Sequence, residues 1–421
     1  MHVLRDRMAV ATLAKRSPEL LETIRDLGGS KYLEKNTVHF CGLVGTPSGE
    51  LGVFIPRNST GPVDAVKDLQ TARLTMKTLS RYGRETDGRS GLEAGDDEPV
   101  SVLPVINDLA QDFISYGLYA ERLRYKSRDS GKPDWKSTIS SEVPLLTRSG
   151  VAVYPVMRTT RVLDTRDIPL ARIQAAILLE ISARHGWWLG KGFQGLARAL
   201  VSIDKPRLPR ALWPVTLRQA LNGLYASRPM ALAQLLIRYL EEDQNVSGGT
   251  FLAGVPDFET VWEAMLRETL AGEETRLWNR RLPKPAYSDP GGRAQTIGSG
   301  MEMDIVVRRE REANDHLHIL DAKYYAATGT GSVPKTGDIV KQLMYELAMK
   351  VAIEDHGTEE SVSGGFVFPS GGAHSRPFVE AGLSGGQTID YRFPTIRIYY
   401  ADIKSVMEAY VGRREFMMVL D

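Results

Sequence analysis

Residues 301–346 read MEMDIVVRREREANDHLHILDAKYYAATGTGSVPKTGDIVKQLMYE. Two short apolar runs, Asp304–Val307 and Leu317–Leu320, flank a charged stretch, Arg308–Asp315. That alternation predicts a two-stranded hairpin with a solvated turn. The second strand runs into Asp321-Ala322-Lys323. Side chains alternate faces along a strand, so Asp321 and Lys323 share a face, with Cα atoms about 7 Å apart. Asp304 opens the preceding strand and can reach the same face from across the hairpin. Two carboxylates and an ammonium converging on one surface can hold a hard divalent cation with a water beside it. Ordinary solvated charges at the end of an edge hairpin would read the same way in isolation.

The context argues for more. An amphipathic helix, Asp338–Val351, follows the second acid and carries Lys341, Gln342 and Tyr345. Asp304, Asp321-x-Lys323 and this helix together resemble the PD-(D/E)xK nuclease superfamily, although Met303 stands where that family commonly has proline. The resemblance implies an α/β nuclease core, a mixed sheet flanked by helices, over residues 249–421. It implies that Asp304 and Asp321 bind Mg²⁺ (with Mn²⁺ able to substitute), that the Ala322 carbonyl adds a ligand, and that Lys323 is catalytic. Gln342 would join the catalytic group, and Lys341 and Tyr345 would contact DNA. Upstream, Asp257 N-caps a predicted helix, DFETVWEAMLRETL, with Phe258, Val261, Trp262, Met265 and Leu266 on its apolar face. In the superfamily a glutamate on such a helix often completes the metal set. Glu263, after Trp262, is the preferred candidate and Glu259 the second.

Composition sets outer bounds. A chain of 421 residues exceeds one ordinary core, so two or three domains are expected. Hydrophobic residues make up 42% and charged residues 25%, as in globular proteins. No apolar run approaches the roughly 20 residues that span a bilayer, and the N-terminal stretch lacks a secretory pattern. A single cysteine, Cys41 in VHFCGLV, fits a reducing cytoplasm and a core position. Net charge is +1, so any polyanion must be met locally. Two basic clusters, Arg122–Lys136 and Arg276–Lys284, could track phosphates or simply face solvent.

In chain order, a helix is expected at Pro18–Asp26, a hairpin from Thr37–Val44 and Leu51–Ile55, and helices over 63–83 and 100–124. A loop is expected at Gly83–Glu98. Helices should then fill 170–241, punctuated by prolines, with a turn-rich boundary at Asn245–Gly254. GFVF at 365–368 and TIRIYY at 395–400 read as further strands. The expected core order is helix, three strands, helix, strand. Trp187-Trp188 beside a helix end reads as core more readily than as a base-stacking pair.

A second resemblance covers most of the chain. The hairpin ending VFIPR, the helix after it, Gly117-Leu118-Tyr119, the run Gly131–Ile139 (GKPDWKSTI) and VYP at 153–155 are similar to LlaJI-type restriction endonuclease subunits, relatives of McrC. That likeness implies the nuclease subunit of a phage-defence restriction system. Double-stranded DNA would be the substrate, and a separate McrB-like AAA+ NTPase would be the motor. It divides the chain into an α+β partner-docking region (1–165), a helical connector (166–248) and the nuclease domain (249–421). Gly329–Thr336 nearly spells a phosphate loop, but Pro334 removes an N–H that such a loop needs, so nucleotide hydrolysis falls to another chain. His316 and His318 have no cysteine near them, which argues against zinc. Two rival readings stay open: a stand-alone nuclease acting on RNA or DNA ends, and a silent adaptor that keeps the fold.

Overall fold

The structure, a computed structural model, describes residues 1–59, 65–87, 102–128, 132–165, 168–243, 250–296, 300–312, 314–325, 327, 329–371, 378–386 and 388–420. Most of the expected loop at Gly83–Glu98 and the turn after Asn245 lie outside them. The chain packs as two units: Met1–Pro104 with Val246–Asp421, and Val105–Asn245. These are not the lines of the expected segments 1–165, 166–248 and 249–421. Residues from both ends of the chain build the first unit, and the middle is an insertion.

In the first unit, β1 (His2–Arg5) is followed by α1 (Pro18–Gly28), whose N-cap Ser17 accepts the Leu20 N–H. The apolar runs either side of the Thr46–Gly49 turn form β2 (Cys41–Gly45) and β3 (Leu51–Ile55), an antiparallel pair. All five residues of β2 are buried, as expected of Cys41, because the strand is covered on both faces. Thr37–Val38 does not continue into β2 but pairs with Leu33–Glu34. After α2 (Ala65–Asp87) the chain leaves the unit. It returns as β4 (Phe251–Val255), antiparallel to β2, giving the sheet order β1-β3-β2-β4. Gly42 and Gly254 face each other in that ladder. A Cβ on Gly254 would stand 2.2 Å from the Cys41 carbonyl oxygen, so the close approach requires glycine.

The hairpin forms as expected, with β5 (Ile305–Arg309) antiparallel to β6 (His316–Ala322) in the register Ile305↔Leu320 to Arg309↔His316. It is preceded by α3 (Phe258–Thr269) and the short α4 (Thr275–Asn279). Helix α5 (Thr336–Asp355) then crosses over to β7 (Ser361–Ser370), which lies parallel to β6. A short edge strand, β8 (Glu380–Ala381), β9 (Ile396–Asp402) and α6 (Ile403–Gly412) complete the unit. The sheet order is β5-β6-β7-β9-β8. The five strands of this sheet are met as two strands, helix, three strands, rather than as three strands before the helix. The fully buried β6 needs a neighbour on each side, and α5 supplies the crossover that brings β7 there parallel. Helix α5 lays Tyr345, Met349 and Ile353 on Leu317, Ile319 and Val306. The C-terminal α6 ties back to α2, where Arg81 stacks on Tyr410 at 4.1 Å.

The second unit holds the helices expected between 170 and 241, at Pro169–Leu189, Lys191–Ala197, Trp213–Leu221 and Ser227–Asp243. Trp188 is buried, as a core residue would be. The helix expected over 100–124 stops at Tyr116, and Gly117 follows at φ +71°. Residues Glu121–Arg128 are instead a strand, antiparallel to Arg158–Thr165. A partner some 30 residues away decides that segment, which local periodicity cannot register.

Candidate active site

The site is built where β5 begins and β6 ends. Register sets Ile305 opposite Leu320, so Asp304, one residue before β5, lies beside the last residue of β6. There its Oδ2 accepts the Ala322 N–H at 3.1 Å. In a strand the N–H and C=O of one residue point to the same edge, so the Ala322 carbonyl shares the side on which Asp304 sits. Asp321 follows Leu317 and Ile319 on the face covered by α5 and is buried to 4% exposure. The Lys323 ammonium lies 2.8 Å from Asp321 Oδ2 and 2.9 Å from Asp338 Oδ1. Asp338 is itself anchored, because its Oδ2 accepts the Lys335 N–H at the start of α5. Burial alone would favour the neutral amine at Lys323, but Asp321 and Asp338 outweigh it and raise its pKa well above the ordinary lysine value. Burial likewise pushes Asp338 up, yet the bonds from Lys323 and Lys335 leave it below the usual carboxylate range.

Glu263 on α3 is held by Arg267 one turn on, and the same guanidinium donates to the Asp304 carbonyl at 2.9 and 3.0 Å. Burial and then the Asp304 charge raise the Glu263 pKa; burial and then the Asp321 charge raise that of Asp304. Glu259 is raised by burial first and by Asp257 second. Asp304, Asp321 and Glu263 therefore share one negative field, as like charges gathered at one locus must. Asp321 Oδ2 is buried without a directed hydrogen bond, its contact with Lys323 being an ion pair only. Such an all-oxygen donor set fits a hard divalent cation by its chemistry. As they lie, however, no three carboxylate, imidazole or thiolate groups among the described residues are close enough to enclose one.

The remaining expected residues divide by burial. Gln342 is 1% exposed and donates its amide to the Ile319 carbonyl at 2.5 Å, which locks α5 to the strand leading into Asp321. That is a supporting position, set back from the surface. Tyr345 was expected at DNA, but it is 6% exposed and its hydroxyl donates to the Glu302 carbonyl. Lys341 is exposed, sits over the Tyr345 ring, and lies 3.7 Å from Asp321 Oδ1. His316 and His318 bond to Ser361 and Ser363, and burial lowers His318 to about 3, so they are neutral parts of the sheet. In the cluster Arg122–Lys136, the side chains of residues 122–125 and all of residues 129–131 lie outside the described residues.

Sequence reasoning missed four participants. Asp338 reads from sequence only as a helix start; an acid three residues into the helix after Asp-x-Lys is the available signal. Arg267 sits one turn after Glu263 and was passed over. Asn279 exchanges two 3.0 Å hydrogen bonds with the Met303 backbone, clamping the chain just before Asp304. Arg57, from the N-terminal part, stacks on buried Tyr324 at 5.2 Å and bonds its carbonyl, one residue after Lys323. Nothing in the sequence announces a contact across 267 positions.

Comparison with known proteins agrees with the second resemblance. The model of the LlaJI restriction endonuclease family matches residues 40–380. The component YdjA of the type II restriction enzyme BsuMI from Bacillus subtilis (strain 168) is 22% identical over 322 residues, 71% of this chain. The match spans 64% of that relative's length. Among solved structures, the cryo-EM structure of the Thermococcus gammatolerans McrBC complex aligns over 63% of this chain and 86% of its own, at 13% identity and a TM-score of 0.30. Among the described residues, no helix is long and apolar enough to cross a membrane.

Proposed function

The chain belongs to the LlaJI restriction endonuclease family, and from that premise we propose that it is a DNA-hydrolysing restriction subunit with a PD-(D/E)xK centre at Asp304, Asp321 and Lys323. The observation that carries this reading is the meeting of those three residues at one strand end, with Asp304 on the Ala322 N–H and Lys323 paired to Asp321. Asp304, Asp321, Glu263 and the Ala322 carbonyl would hold Mg²⁺, or Mn²⁺ in its place. When bound, the cation would lower the pKa of a water and offset charge growing on the phosphate. Lys323 stays protonated at neutral pH, so it acts as a donor that orients the nucleophilic water or stabilises the developing oxyanion, and not as a base. Asp338 and Gln342 hold Lys323 and the strand in place.

A separate McrB-like AAA+ motor is proposed as partner. Within the proposed docking region 1–165, the strands β2 and β3 are core, and the 47–49 tip of their turn is exposed. Exposed apolar side chains recur along 135–153 in the second unit, at Trp135, Ile139, Val143, Leu145, Leu146 and Val153, and a protein partner is proposed to meet them.

The test is cleavage of a labelled duplex by the full chain, with and without the motor and nucleotide. Asp304→Ala, Asp321→Ala and Lys323→Ala should each lower the rate by more than ~10²-fold. Mg²⁺ or Mn²⁺ should support cutting, Ca²⁺ should not, and EDTA should abolish it. Full activity in excess EDTA would end the proposal. The pairing of the carboxylates with Lys323 and Arg267 favours one alternative, an adaptor that keeps the fold without chemistry. Titration with Mg²⁺ separates the two, since the adaptor would bind none.

A further inference from the structure

A cleft of about 1180 Å³ is lined by Glu263 and Asp304 and also by Arg276, Asn279 and Arg280. Arg276 and Arg280 are one turn apart on the same face of α4 and its C-terminal cap, and both are exposed. Neither has a carboxylate partner among the described residues. The acids around them are engaged: Glu263 with Arg267, Glu268 with Arg81 at 3.6 Å, and Glu273 with the Thr275 N–H at 2.8 Å. Exposed Glu302 is the remaining acid on that side.

Helix α4 is also stitched to the strand that carries Asp304. Val306 donates to Thr275 Oγ1 at 2.8 Å, Glu274 donates to the Val306 carbonyl at 2.8 Å, and Asn279 brackets Met303. The opposite face of the helix is anchored by Trp278, which is fully buried. The backbone positions of Arg276 and Arg280 are thus held at a fixed offset from the strand that follows Asp304. An exposed pair of arginines on an anchored helix is suited to successive phosphodiesters, which guanidinium binds in bidentate fashion.

We infer that Arg276 and Arg280 form a phosphate clamp, gripping the backbone of the nucleic-acid strand beside the bond to be cut. The assignment rests on the nuclease reading above and adds to it the wall along which the strand runs. Asn279 then acts as a positioning residue that sets the clamp's distance from Asp304.

The experiment measures binding of the full chain to a 30-base-pair duplex by fluorescence anisotropy between about 50 and 200 mM NaCl. EDTA is present, so the readout does not depend on cleavage. Each lost phosphate contact lowers the log–log salt slope by roughly 0.9, so Arg276→Ala/Arg280→Ala should lower it by roughly 1.8 and weaken binding at least ~10-fold at low salt. Arg276→Lys/Arg280→Lys should restore most of the slope. Lys15→Ala/Arg16→Ala removes the same charge from exposed positions that do not line the cleft and should leave the slope within error. If the wild type binds and the Arg276/Arg280 variant matches the Lys15/Arg16 control, the clamp is wrong while the nuclease reading stands. If the wild type binds no duplex at all, both fall.

Discussion

Replacing Lys323 with alanine removes the cation that two carboxylates share, and its cost can be worked from the geometry. At 2.8 Å and an effective dielectric of 20, the Asp321–Lys323 attraction is about 6 kcal/mol gross. Most of that is offset by the desolvation both groups already bear, and the residue left behind, Asp321, is 4% exposed. Lys341 lies 3.7 Å from the other Asp321 oxygen and takes up part of the field. The expected net loss is about 1–3 kcal/mol in EDTA. Mg²⁺ should return part of it, because a divalent cation relieves the same carboxylates. Arg218→Ala is the control: it breaks a pair with Glu241 in which both side chains are about half exposed, and should cost under about 1 kcal/mol. The assay is urea unfolding followed by circular dichroism, with and without Mg²⁺, alongside duplex cleavage. Lys323→Ala should lose more than ~10²-fold in rate while Arg218→Ala keeps wild-type activity. Cleavage at the wild-type rate by Lys323→Ala, or an equal stability loss in the two variants, would refute the role given to Lys323.

Other outcomes follow from the same electrostatics and packing. The Asp304 pKa is raised in the folded state, so its ionisation works against folding as pH rises above the ordinary aspartate value of 3.8. Asp304→Asn should therefore melt higher than wild type at pH 7 in EDTA, with the gain vanishing below about pH 4, while cleavage is lost; a lower melting point at pH 7 contradicts the assignment. Asp6, buried under Arg7 and Arg57, is raised by burial from 3.8 to about 6. Its stabilising share is complete below pH 3.8 and lost as pH rises through 6. Asp6→Asn should thus gain up to about 3 kcal/mol over wild type at pH 8 and nothing at pH 3.5, read from urea unfolding at the two pH values. A fragment of residues 249–421 should fail to give a cooperative melt, since β4 would lose β2 and Tyr324 would lose Arg57. Excising residues 105–245 with a short Gly/Ser linker should give a soluble protein with one cooperative transition, and aggregation of that chain would contradict the two-unit division.

Much of the core was legible because its signals are local. Alternating apolar runs around Arg308–Asp315 define the hairpin, and strand pleat alone places Asp321 and Lys323 on one face. Asp257 announces the start of α3, and a 3.6-residue period announces α5. Pairing between distant segments was not legible. No property of Phe251–Val255 indicates that it joins β2 rather than opening a separate domain, and Glu121–Arg128 continues a helical period until Arg158–Thr165 claims it as a strand. The roles of Gln342 and Tyr345 likewise depended on burial, because an amide or a phenol on a helix face can meet solvent or a backbone carbonyl. Sequence determined which residues the proposed chemistry would draw on, since charge and strand period are written residue by residue. Tertiary structure decided what holds them there: Asp338 on Lys323, Arg267 on Glu263, and Asn279 and Arg57 against the chain on either side. Those contacts join segments far apart in the chain, and only the folded packing of the core brings them within bonding distance.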